Sequence, residues 1–334
     1  MGSIFTWLIV KPMGFIIKLI YDFIPNYGVA LIIFTVLIKL LILPLNLKSQ
    51  KSMVKQQKLA PQLQELQRKY ANDKDKLNKE MMELYKANDA NPASGCLPLF
   101  LQFPLIIGLF QVVQKPLSYM LGINFNLPEN INKVINLQQI VAGSEVLSQA
   151  APKGFVNMTM EQLANNFQIA MSNFASNPAI EGFSDWVINF NFLGLDLSRY
   201  PSEVWGPLSS LLFRGQISPM LLSALPLLLI PALAGLTSWA LSKMTPTNPA
   251  QTQTQPGADD TAASMTKSMS MMMPVMSVFF TFTLPSGVGL YWIISNVVQI
   301  VQQYFTVAHF KKKEENTVVV DTIKKNRKDR KKRR

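Results

Sequence analysis

One lysine inside an apolar run is the residue of this chain best placed to do chemistry. Residues 27–47 read YGVALIIFTVLIKLLILPLNL, about 20 residues of nearly unbroken apolar character and enough to cross a bilayer core as a helix. Lys39 sits inside it. A lysine near a bilayer centre costs about 3 kcal/mol on insertion scales. A long aliphatic stem can carry an ammonium to the nearer interface. Lys39, however, lies roughly 12 Å from Leu47 at about 1.5 Å per residue, and a lysine stem reaches about half of that. Snorkelling falls short, so a cation facing a wet cavity or a partner is the sharper reading.

A second polar feature lies near the other end of the chain. Within 288–307, Ser295, Asn296, Gln299, Gln302 and Gln303 fall at helical spacing, and Tyr291 and Trp292 extend the same face. One polar face on an otherwise apolar helix must meet protein or water rather than lipid tails. It is either amide glue between helices, worth about 1 kcal/mol per contact, or the wall of a wet groove shared with Lys39. The presence of Lys39 tips the reading toward the groove.

Composition bounds the class. The chain has 334 residues, is 49% hydrophobic and carries a formal net charge of +12. Apolar and basic together suggest an integral membrane protein with basic cytoplasmic segments. One cysteine, Cys96, rules out a disulfide framework, and the single His309 rules out a histidine-rich metal site. No phosphate loop, nucleophile elbow or cysteine pair is present. The expectation is therefore no enzyme, no catalytic residue, no cofactor and no metal. A channel or secondary transporter with an intramembrane lysine is the rival class. Against it, none of the apolar spans contains Asp or Glu to relay a proton.

The elements that position these residues follow in order. Residues 1–26 read as an interfacial amphipathic helix on the external side: Phe15-Ile16, Leu19-Ile20 and Phe23-Ile24 form one stripe and Gly14, Lys18 and Asp22 the other. The apolar stretch before Lys11 is short and no small-residue cleavage site follows, so this segment is expected to be retained. Pro25-Asn26 ends it. The first span is 27–47. Residues 48–92 form a charged helical hairpin, with Leu59, Leu63, Leu66 and Tyr70 on one stripe and Leu77, Met81, Leu84 and Tyr85 on the other. Ten Lys/Arg stand against six Asp/Glu in 48–91, which places the hairpin in the cytoplasm; a solvated loop that only fixes topology is the plainer reading.

The second span is 93–117. Its Gln102 and Gln111 lie on roughly opposite sides of a straight helix. Residues 118–216 reverse the charge bias, with four basic and seven acidic residues, and are expected outside. Thr159 with Gln162 makes a capping box before a helix of about four turns. The third span is 217–242, a polar cytoplasmic connection 243–267 follows, and the fourth span is 268–284. Methionines at 265, 269, 271, 272, 273 and 276 either fill gaps or repack around varied apolar partners. After the turn at Leu284-Pro285-Ser286-Gly287 comes the fifth span, 288–307. The tail 308–334, with twelve Lys/Arg against four Asp/Glu, is cytoplasmic. It can meet anionic lipid or ribosomal RNA phosphates.

Three stretches in this order, YGVALIIFTVLIKLLILPL, KLAPQLQELQRKYANDKDKLNKEMMELYKANDANPASGCLPLFLQFPLI and FFTFTLPSGVGLYWIISNVVQIVQQY, resemble the YidC insertases, bacterial relatives of the mitochondrial Oxa and plastid Albino proteins. The resemblance covers about residues 13–120 and 190–334. It implies an all-α integral membrane protein of the plasma membrane. The resemblance further implies five transmembrane helices around a hydrophilic groove open to the cytoplasm, with a cytoplasmic hairpin, the N-terminus outside and the C-terminus inside. It implies a membrane-protein insertase and folding chaperone. Lys39 stands where the family usually has arginine, as the groove cation; lysine lacks the guanidinium fork. Thr35, one turn earlier, matches a groove position, joining Ser295, Asn296, Gln299 and Gln302. Phe103, Ile106 and Trp292, with Tyr291, match an apolar slide for the client. The partners implied are newly made membrane-protein clients and the lipid bilayer, with the ribosome through the basic tail and the secretory translocon as further candidates, and no DNA. The external segment 121–190 exceeds what short members carry, and nothing transfers to it.

Overall fold

The computed structural model describes residues 3–88, 90–91, 97–215, 219–244 and 272–306. Cys96, the connection 245–271 with three of the clustered methionines, and the basic tail lie outside the described residues. Among the described residues the chain is mostly helical, with one two-residue strand pair.

Helix α1 (Lys11–Phe23) continues helical turns that begin at Ser3 and ends where Ile24 turns extended. The Asn26 side chain then accepts from Val29 N–H at 3.1 Å and opens the next helix, an N-cap that satisfies an otherwise orphaned donor. The polar stripe expected on α1 is split. Lys18 and Asp22 pair at 2.6 Å on the exposed side. Gly14 instead faces inward, where an added Cβ would collide with the Tyr119 carbonyl oxygen. Val10, Met13 and Ile17 are buried beside it.

Helix α2 (Tyr27–Lys58) is 32 residues long, about 48 Å at ~1.5 Å per residue. It does not stop at Leu47, where the apolar run ends; one rod carries the chain from apolar residues into the charged stretch. Helices α3 (Ala60–Lys69) and α4 (Lys74–Ala87) follow, the latter capped by the Asp73 side chain on Lys76 N–H. They bury Leu59, Leu63, Tyr85 and Ala90, with Met81 and Leu84 against them. The far end of this pair is tied to α2: Asn91 N–H donates to Ser52 Oγ at 3.2 Å, and Gln56 donates to the Asn91 carbonyl.

Helix α5 (Leu97–Gln114) contains Pro104. In the segment that follows, α6 (Pro128–Gly143), α7 (Met160–Asn166) and α8 (Gln168–Ala175) surround an aromatic core of Phe155, Phe183 and Trp186. The Thr159 capping box is present, but the helix it opens lasts two turns rather than about four. Phe167 leaves helical geometry to fill the core beside Phe155, and α8 restarts after it.

Residues 189–199 then form a strap. Strands β1 (Asn191–Phe192) and β2 (Leu195–Asp196) pair antiparallel around Leu193-Gly194, both at positive φ as a tight two-residue turn requires. The strap's carbonyls receive the first N–H groups of two helices. Asn189 accepts from Tyr27 at 3.0 Å, Leu197 from Gly287 at 2.9 Å, and Arg199 from Ser286 at 2.9 Å. Phe192 lies over Gly28, which has no Cβ to obstruct it.

Helix α9 (Trp205–Arg214) precedes an apolar stretch that begins at Pro219, tightens to a 3-10 turn at Leu225–Leu228 and continues as α10 (Leu229–Met244). The expected span 217–242 is thus not one uniform helix. Helix α11 (Met272–Thr283) and helix α12 (residues 286–306) complete the described chain. Among the described residues two helical stretches, Tyr27–Gln56 and Leu221–Met244, are long and apolar enough to cross a membrane. Phe100–Gln114 and Met272–Thr283 are apolar and shorter.

The chain divides into two compact units. One comprises Met1–Ile38, Pro98–Leu236 and Pro274–Ser295, and the other Lys39–Leu97, Thr237–Met273 and Asn296–Arg334.

Candidate functional site

The candidate cation lies in the second unit. Lys39 is 3% exposed, and its Nζ donates to Gln299 Oε1 at 3.4 Å. Gln302 donates from Nε2 to the Lys39 main-chain carbonyl at 3.4 Å. That choice leaves Gln302 Oε1 buried with no partner. A buried amide oxygen in this state costs about 1–3 kcal/mol until a donor such as water reaches it. The surroundings of Lys39 are therefore amide-lined and hold an unfilled acceptor.

The same helix α12 uses its other polar residues differently. Asn296 donates to Thr237 Oγ1 at 3.1 Å and Ser238 Oγ at 2.8 Å, and Gln303 to the Met244 carbonyl at 3.1 Å. These bonds join α12 to α10 and are interhelical glue. The polar face thus divides between two tasks: Gln299 and Gln302 serve the lysine, Asn296 and Gln303 the helix pairing. Thr237 and Ser238 escaped the sequence reading. A Thr-Ser pair between Leu236 and Trp239 was the signal, since two hydroxyls in an apolar stretch need partners.

The remaining candidates fall in the first unit. Thr35 is fully buried and its hydroxyl donates to the Leu31 carbonyl at 2.6 Å within α2. Ser295 is buried as well. Phe103 is 54% exposed and Ile106 half-buried on α5. Trp292 stacks on Phe280 with ring centroids 6.2 Å apart. Tyr291 departs from its expected place on an open apolar slide. It is 1% exposed, and its hydroxyl accepts from Gln102 Nε2 at 3.0 Å. A phenol in hydrocarbon needs such a partner, so Tyr291 turns inward and ties α12 to α5.

Among the described residues no group of His, Cys, Asp and Glu side chains converges as a metal site. What the arrangement offers is a buried cation among rearrangeable amides in one unit, and an apolar, partly exposed α5 in the other.

Comparison with known proteins adds to this geometry. The model of the 60Kd inner membrane protein family matches residues 19–314. A protein of Oleidesulfovibrio alaskensis named Membrane protein insertase YidC is 50% identical over 107 residues, 32% of this chain and 20% of that protein. Proteins of the same name from Geobacter sp. strain M21 and Nitratidesulfovibrio vulgaris are 26% identical over 297 residues, 89% of this chain. Those alignments span 36% and 38% of the relatives' own lengths, so the chain matches well under half of each.

Proposed function

Because this chain belongs to the 60Kd inner membrane protein family, a family of inner-membrane proteins, we propose that it inserts membrane-protein clients and assists their folding. The observation that carries the reading is the burial of Lys39 among Gln299 and Gln302, with an unfilled amide acceptor beside it. Five spans, the N-terminus outside and the C-terminus inside, complete the proposed architecture, with α3 and α4 in the cytoplasm.

The mechanism is physical. A water-containing groove part-way into the bilayer shortens the hydrocarbon distance that a polar client tail must cross. Lys39 attracts acidic residues of that tail; unit charges at 4 Å attract by about 4 kcal/mol at an effective dielectric near 20. Gln299 and Gln302, with Thr35 and Ser295 a turn outward on the same helices, supply hydrogen-bonding surface, while Asn296 holds α12 to α10 beside them. The client's apolar segment meanwhile moves along Phe103, Ile106 and Trp292 into lipid. Burial of that segment drives the process, so no nucleotide is required. Tyr291 holds the slide in shape from behind.

Photo-crosslinking tests the division of labour. With a photoreactive residue at Phe103 or Ile106, a stalled single-span client should crosslink through its apolar segment; at Gln299 it should crosslink through its acidic tail. The reverse pattern, or none, contradicts the reading. The basic tail is proposed to dock ribosomes: removal of residues 311–334 should weaken ribosome co-sedimentation, most at low salt where phosphate contacts dominate. Binding unchanged across a salt series removes the tail from the account.

A further inference from the structure

Helix α9 has two apolar edges and only one of them is covered. Leu208 and Leu211 pack with Val204, Leu221, Ala224, Leu228 and Phe282. At about 100° per residue, Leu212, Trp205 and Phe213 continue the apolar arc away from that contact. They are 66%, 63% and 83% exposed. Gly206, Ser210 and Arg214, spaced four apart, form the opposite edge. Ser209 falls inside the exposed apolar arc, yet its hydroxyl donates to the Gly206 carbonyl at 2.7 Å. A hydroxyl satisfied by its own helix can face hydrocarbon at low cost.

The helix is fixed at its entrance. Tyr200 and Glu203 form a reciprocal cap on the preceding turn, and Arg199 pairs with Glu203 at 2.9 Å. Its exit is fixed too, by left-handed Gly215 (φ 65°). A short amphipathic helix clamped in this way is not a stray loop.

We propose that α9 lies in the membrane interface. Leu212, Trp205 and Phe213 sit at the headgroup–acyl boundary of the phospholipid leaflet that meets the start of the apolar stretch 219–244, and Arg214 reaches the headgroup phosphates. Continuity with that stretch selects lipid as the occupant. The helix packs on Leu221 and Ala224, and the same stretch exposes Leu222, Leu225, Leu229, Leu233, Leu236 and Trp239, an apolar surface long enough to cross a membrane. An apolar arc beside a basic residue, directly before a span, has the composition of an interfacial anchor. The inference rests on membrane residence of the family and is independent of the route a client takes.

The test uses the full chain with Cys96→Ser, reconstituted in phosphatidylethanolamine–phosphatidylglycerol vesicles. An environment-sensitive fluorophore is attached at Phe213→Cys or Leu212→Cys. Val146→Cys, 78% exposed on the segment between α6 and α7, gives the aqueous reference, and Leu233→Cys the hydrocarbon reference. At 212 and 213 the emission should be blue-shifted relative to 146. Quenching by nitroxides high on the lipid acyl chains should be several-fold stronger than at 146, and quenching by aqueous iodide several-fold weaker. Quenching at 212 and 213 equal to that at 146 overturns the proposal. Protection from both quenchers also overturns it, because a protein, a second copy or a client then covers the face. The two labelling sites guard against a local packing defect at either one.

Discussion

The strap at residues 189–199 and the surroundings of Lys39 both join distant parts of the chain, and they do so with different chemistry. At the strap, main-chain carbonyls of Asn189, Leu197 and Arg199 receive helix N–H groups at 2.9–3.0 Å. Aromatic side chains close over it, with Tyr27 edge-on to Phe190 at 5.0 Å. Around Lys39, glutamine side chains make contacts of 3.4 Å and leave an acceptor unfilled. Main-chain bonds fix position whatever the side chains are. Amide side chains rotate, and each of their bonds can be exchanged for one to water or to a visiting group at small net cost. The first region is built to hold still and the second to be re-partnered.

Mutations that attack each region sharpen the contrast. The largest effect is expected in the aromatic core behind the strap. Trp186→Ala should cost about 3–5 kcal/mol, read as a lowered melting temperature in micelles and new protease cleavage within 118–216. An unchanged melt would mean that this core does not hold its unit together. Next comes Gly28→Ala, whose Cβ would collide with the base of the Phe192 ring; overpacking of this kind costs about 1–3 kcal/mol. If it is neutral, the strap yields and is not the rigid element described. Asn296→Ala removes two side-chain bonds to Thr237 and Ser238 and should cost about 1 kcal/mol, as membrane interhelical bonds do. A loss as large as that of Trp186→Ala would erase the contrast between the regions.

The smallest change is expected in the helical pair α3–α4. The Tyr85 hydroxyl is buried with no partner. Tyr85→Phe should leave stability equal or raise it by up to about 1 kcal/mol, measured by thermal unfolding. Burial also pushes the Tyr85 phenol above its usual range. The folded state therefore keeps its proton where the unfolded chain has lost it. That contribution is complete below the ordinary tyrosine value of about 10 and is lost as pH rises through the folded value. Tyr85→Phe should abolish this alkaline loss.

The helical character of the chain was legible in its sequence because it is carried by local signals. Proline at 25 and the Thr159–Gln162 capping box act over a few residues, and so does the Asp73 cap. The strap was not legible. Two strands of two residues have no periodicity to read, and the helices that the strap ties start far off in sequence, 165 positions away in the bond from Asn26 to Asn191 and 87 in that from Ser286 to Arg199. The break at Phe167 arises from an aromatic pulled into a core that local propensity does not know of. For the same reason Gly14 reads as part of a polar stripe when its role is to admit the Tyr119 backbone.

The candidate site was readable in part for a matching reason. Lys39 and the amides of α12 stand out because polar residues are costly in an apolar run. Which amide serves the cation and which serves helix pairing depends on neighbours contributed by α10, and Thr237 and Ser238 carry too weak a signal alone. Tyr291 shows the converse: an aromatic on the right face that tertiary packing turns inward through Gln102.

The measurement that tests the central claim most directly is insertion of a single-span client with a short acidic tail into liposomes holding this protein alone. Wild type, Lys39→Arg, Lys39→Ala and Lys39→Glu would be compared, with a client whose tail is neutral as reference. The account predicts that arginine supports insertion of the acidic-tail client, that alanine and glutamate fail, and that the neutral-tail client is affected far less. Equal insertion by all four variants would contradict it, leaving Lys39 a structural residue of α2.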